Sequence, residues 1–153
     1  VVYDLFGTLA DLLEALLERE QERALLQLAE LMPTPSPGAN PEQVLTEGLS
    51  AFLRSVEARP EAWRLILMPP EAMPGVVRAR VEREQTQIAS QLETIVRWGL
   101  GALAVPVSDV ELAVEALILL VRQAGRMHLD DPAAYPPERL TAFTTDLLAA
   151  VRR

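Results

Sequence analysis

Between Val110 and Val121 only Glu111 and Glu115 carry charge, and every other residue is apolar. Val110, Val114, Leu117, Val121 and Ala124 recur at spacings of three and four, which places them on one helical stripe. Leu112 and Leu119, with Ala113 and Ala116, make a second stripe. A helix apolar over most of its circumference must be covered on more than one side. In a chain of 153 residues the second cover is expected to be another subunit. The alternative is a central core helix in a monomer.

The rest of the chain repeats the helical period. Strand-like alternation is nearly absent, and no Asn-Gly or Asp-Gly hairpin signal occurs. A first segment is expected from Thr8 to about Met32, with Leu12, Leu13, Leu16, Leu17, Leu25, Leu28 and Leu31 facing inward. Pro33-Thr34-Pro35-Ser36-Pro37-Gly38 then forms a surface loop. Asn40 caps a second helix, with Pro41 at its first position, running to about Ala58. A short helix spans about Pro60 to Met68, and a long one about Val76 to Leu100, stopped by Gly99 and Gly101. Ser108 with Glu111 makes a capping box for a fifth helix, which ends near His128. A final helix follows Pro136-Pro137 and ends near Val151. The expected fold is an all-α bundle of about six helices, the last two pairing with a second copy in an intermolecular four-helix bundle. Small residues on the final helix (Ala142, Ala149, Ala150) favour close approach there. Val114, Leu117, Val121, Phe143 and Leu147 are the expected interface.

Composition excludes several classes. Cys is absent, so disulfides and thiolate chemistry are excluded, which fits a cytoplasmic protein. No apolar run approaches the about twenty residues of a membrane span. The net charge of −8 repels phosphate, so these residues as a body should not bind nucleic acid. All 14 basic residues are Arg.

The residues for catalysis are scarce. The one His, His128, stands beside Asp130 and Asp131 at a helix end, where an imidazole meets the terminal carbonyls favourably. No metal-ligand spacing, phosphate loop or cofactor motif can be drawn, and no enzyme activity is expected. A ligand pocket is the stronger expectation. Phe52, Trp63, Met68, Met73, Trp98 and Met127 are large or adaptable side chains near segment ends. Gln87, Gln91 and Gln123 interrupt apolar faces and offer hydrogen bonds, Gln91 being the chosen ligand contact. The pocket is expected among the helices at 41–58, 60–68 and 76–100 and the start of the interface helix pair, and a small hydrophobic compound is its expected occupant.

The first residues carry the motif that points to a family. Val2, Leu5 and Phe6 lie on one helical face, Gly7 suits a left-handed helix stop, and Thr8 with Asp11 starts the next helix. A helix ending Tyr-x-x-Phe, a Gly-Thr turn and a Leu-Leu helix resembles a junction in tetracycline-repressor-type (TetR family) transcription regulators. There the end of the recognition helix meets the fourth helix. The segment Arg59 to Leu67 also looks like a short helix common in such regulators. The resemblance implies a ligand-responsive regulator, a repressor by expectation. Residues 1–7 would be a remnant of the helix-turn-helix domain, and 8–153 the ligand-binding and dimerisation domain. It implies that Tyr3 meets a DNA phosphate and that duplex DNA is bound through the missing N-terminal domain of a homodimer. The family's turn often carries Lys where this chain has Leu9, so part of that phosphate grip is lost. The competing class is a helical small-ligand carrier or enzyme without DNA binding.

Overall fold

The computed structural model describes residues 9–67, 75–104 and 108–151, and its account of side chains leaves out 9–10, 13, 75–82, 84–85, 87–88, 91 and 151. Among the described residues the chain is all-helical: α1 (Leu9–Leu31), α2 (Pro41–Ala58), α3 (Pro60–Ile66), α4 (Gly75–Ala102), α5 (Val110–Asp130) and α6 (Pro137–Val151). The prolines set these boundaries. Pro41, Pro60 and Pro137 each stand at a first helical position, where a missing N–H costs nothing. Asn40 caps α2 as its sequence predicts, its Oδ1 accepting from Glu42 N at 3.0 Å.

Two terminus expectations need correction. The cap of α5 is Asp109, whose carboxylate accepts from Leu112 N at 3.0 Å, rather than Ser108. A carboxylate there also faces the positive end of the helix dipole, which a hydroxyl exploits less. Gly99 does not stop α4, which continues to Ala102. A Cβ at Gly99 would stand 2.9 Å from Leu45 Cδ1, so this glycine allows α4 to press against α2. The chain leaves the helix at Ala104, which adopts a positive φ of 50°.

The hub is α2, which packs against each of the other helices. It buries Val44, Gly48, Leu49, Ala51, Phe52, Leu53, Ser55 and Val56, a stripe wide enough to serve several neighbours. At its centre Phe52 and Trp63 meet edge to face, with ring centroids 5.2 Å apart and planes at 85°. Trp63 Nε1 donates to Ser55 Oγ at 3.1 Å, and Ser55 Oγ donates to Ala24 O at 3.4 Å. This buried relay joins α3, α2 and α1. Ser55→Ala would leave the indole N–H buried without an acceptor, and should cost about 1–3 kcal/mol of stability in urea unfolding. Ser55→Thr, which keeps the hydroxyl, should recover part of that loss. An S55A variant as stable as the wild type would mean that the relay contributes nothing.

Two arginines fasten α3 to α5 reciprocally. Arg64 donates to Leu129 O near the end of α5 at 3.0 Å, and Arg126 donates to Leu67 O just beyond α3 at 2.8 Å. Each guanidinium thus satisfies a carbonyl that its partner helix leaves open. Gly125 brings the same region closer: a Cβ there would stand 2.8 Å from Phe52 Cζ and 2.9 Å from Leu67 Cδ1.

On α1 the buried residues are Gln21, Ala24 and Leu28, and the expected inward residues Leu16, Leu17 and Leu31 are exposed. Leu17 shares the face of Ala24 but lies two turns earlier, and it is 47% exposed because the bundle's cover gives out there. Further along α1, the Glu20 carboxylate takes Arg59 at 2.6 Å and Arg23 at 2.7 Å.

Candidate functional site

Helices α5 and α6 both lean on α2, yet no close backbone packing joins them to each other. The space between them is an apolar cleft of about 210 Å³. Its floor is Leu49, Leu92 and Val96 from α2 and α4, all buried. Leu117, Val121 and Ala124 of α5 make one wall, and Leu140, Thr144 and Leu148 of α6 the other. Met32 and Met127 also contribute flexible thioethers to the lining. The outer rim is Leu120, Phe143 and Leu147, which are 54%, 65% and 36% exposed.

Small residues explain the gap. Gly48 and Ala124 face it from α2 and α5, where a Leu would fill it. Independent anchors then hold the helices where they are. Arg126 and Gly125 fix the end of α5 against α3 and α2. On α6, Leu148 is buried, and Thr145 Oγ1 meets Thr46 Oγ1 of α2 at 3.3 Å.

Among the described residues the lining carries no ionisable group, and its polar side chains are Gln123 and Thr144. Thr144 Oγ1 donates to Leu140 O at 3.0 Å, which commits its proton and leaves its oxygen lone pairs toward other donors. Gln123 is exposed and supplies both an amide donor and an acceptor.

The expected ligand residues divide. Met127 lines the cleft. Phe52 and Trp63 do not; they are 1% and 0% exposed in the core. Among α2, α3, α4 and α5, within the expected bounds of the pocket, they border a void of only about 10 Å³, the size of one water. Their edge-to-face contact consumes the space that broken short helices were expected to leave. Trp98 is half-buried and outside the cleft lining. Met68, Met73 and Tyr3 lie outside the described residues, as does the side chain of Gln91. Gln123, the third glutamine singled out in the sequence, lines the cleft, and the side chain of Gln87 also lies outside the described residues.

The expected interface residues divide as well. Val114 is 2% exposed and belongs to the core, so it cannot meet a partner. Leu117 and Val121 are half-buried walls of the cleft, and Phe143 and Leu147 stand at its rim. The outward face of α5 is the second stripe, with Leu112 67% and Leu119 60% exposed. Sequence alone did not separate the two stripes, because both are apolar.

Several other polar groups have structural partners. His128 is buried, its Nδ1 3.0 Å from Tyr135 O and its Nε2 3.7 Å from Glu57 Oε1, which ties the end of α5 to the following turn. Asp131 Oδ1 accepts from Ala134 N at 3.0 Å within that turn. Arg122 borders the small void, where burial and then neighbouring Arg126 lower its pKa while Glu115 opposes them. Among the described residues no group of three or more His, Asp or Glu is placed to hold a metal ion. Likewise, no described helix is long and apolar enough to cross a membrane. Comparison with protein-family models, with curated proteins and with solved structures finds no match to this chain.

Proposed function

We propose that these residues form the ligand-binding and dimerisation domain of a TetR-type transcription regulator, in which a small apolar molecule alters DNA binding by a homodimer. The observation that carries this reading is an apolar cleft opening onto an exposed apolar face. Leu120 of α5 faces Phe143 and Leu147 of α6 across the cleft mouth, and Leu112 and Leu119 are exposed elsewhere on α5. Monomers rarely leave large apolar patches to water. Two copies meeting through α5 and α6 would cover this face in a four-helix arrangement.

The helical connections supply a route for the signal. The cleft floor is α2, and α2 holds α1 through the Ser55–Ala24 bond and the Arg59–Glu20 pair. A ligand that favours one position of α2 therefore biases α1. In the motif's reading α1 carries the DNA-binding unit, and its tilt sets the spacing of two recognition helices in a dimer. Leu16 and Leu17, half exposed near the start of α1, offer that unit an apolar seat.

The test is DNA binding with and without the segment expected before Val1. The natural full-length protein should shift duplex DNA from its own promoter region, with affinity falling steeply as salt rises. The 153 residues alone, with their net charge of −8, should not. Specific binding by the 153 residues alone would refute this reading of where DNA is bound, and none by the full-length protein would favour the carrier reading, which the cleft by itself equally supports.

A further inference from the structure

The α5/α6 cleft has a chemistry that narrows its occupant. Its volume is about 210 Å³, and apolar cavities of about 150 Å³ hold a benzene-sized molecule. The cleft therefore suits about eight to ten carbon atoms. Among the described residues no charged side chain lines it, so an ionised head would lose its hydration without a counter-charge from them. Among the described lining residues two polar side chains interrupt the hydrocarbon surface, the amide of Gln123 on the α5 wall and the hydroxyl of Thr144 on the α6 wall. Thr144 has spent its proton on Leu140 O, so it can only accept, while Gln123 can donate or accept. A ligand hydroxyl matches both, donating to Thr144 and accepting from Gln123.

We propose that this cleft binds an uncharged, mainly hydrocarbon molecule of about eight to ten carbons bearing one neutral hydroxyl or carbonyl group, held by Gln123 and Thr144. The assignment deepens the regulator reading and rests on it for its biological role. The floor at Leu49 and Leu92 lies beneath the exposed rim, which leaves room for a small molecule under a second copy docked on Leu120, Phe143 and Leu147.

A chain-length series tests it. Calorimetry and methyl-detected NMR would follow titration with hexan-1-ol, octan-1-ol and decan-1-ol. Affinity should rise about fourfold for each methylene until the cleft is full. Decanoate, of equal length but charged, should bind at least about tenfold more weakly than decan-1-ol. Gln123→Leu, at an exposed position, should weaken decan-1-ol by roughly three- to tenfold while the fold is kept. Ala124→Phe should abolish binding, and methyl shifts on binding to the wild type should fall on Leu49, Leu92 and Val121. Equal binding of decanoate, no dependence on chain length, or indifference to both substitutions would overturn the proposal. No DNA enters this titration. Its failure would leave the regulator reading to the mobility-shift experiment, and failure of DNA binding would leave the cleft's chemistry standing.

Discussion

Replacing Phe52 by alanine should lower the stability of this domain by about 3–5 kcal/mol, a large share of what an ordinary domain possesses. Phe52 is 1% exposed, stacks edge to face with Trp63, and meets α5 where Gly125 admits it. Truncation removes the ring's transfer free energy and leaves a cavity. The surrounding helices relax into it only in part, because Arg64 and Arg126 tie α3 and α5 together in one fixed arrangement. The measurement is urea unfolding followed by circular dichroism, with the slope compared between variants so that a changed denatured state is recognised. The number also separates two roles for this aromatic pair. Aromatics lining an empty ligand pocket already face a void, and trimming one costs little stability. A loss below about 1 kcal/mol in F52A would place Phe52 at such a wall and would contradict the close packing described above.

The helices were legible in the sequence because their punctuation is chemical. Pro41, Pro60 and Pro137 remove donors where a helix start can spare them, and the Asn40 side chain stands in for a missing backbone acceptor. The site was legible only in part. Residue size placed Phe52 and Trp63 as candidates, but a large ring is equally suited to filling a core and to lining a pocket. The cleft arises from what is small, Gly48 and Ala124, and from anchors distant in sequence, none of which periodicity reveals. One signal was present and unread. Gly125 sits inside α5, where glycine costs about 1 kcal/mol relative to alanine. Such a residue marks a close approach, here to Phe52 and Leu67. That contact orients α5, turning Val114 inward and Leu112 and Leu119 outward.

The same rotation decides how the proposed dimer is best broken. Leu117 is half-buried and lines the cleft, so a glutamate there would damage the fold along with any interface. Leu119 and Phe143 are 60% and 65% exposed, so charge at these positions is solvated in the monomer. In a dimer that covers both, each carboxylate would be desolvated without a counter-charge. Leu119→Glu with Phe143→Glu should therefore raise the dimer dissociation constant at least about a hundredfold, the equivalent of about 2.7 kcal/mol. Circular dichroism of the double variant should match the wild type. Sedimentation velocity at micromolar concentration should show a wild-type dimer and a variant monomer. Leu117→Glu serves as the contrast, since its loss of association should come with loss of thermal stability. A wild-type protein that sediments as a monomer, or a double variant that still dimerises, would remove α5 and α6 as the interface. The exposed leucines would then need another cover, and the coupling of the cleft to a paired DNA-binding unit would lose its structural basis.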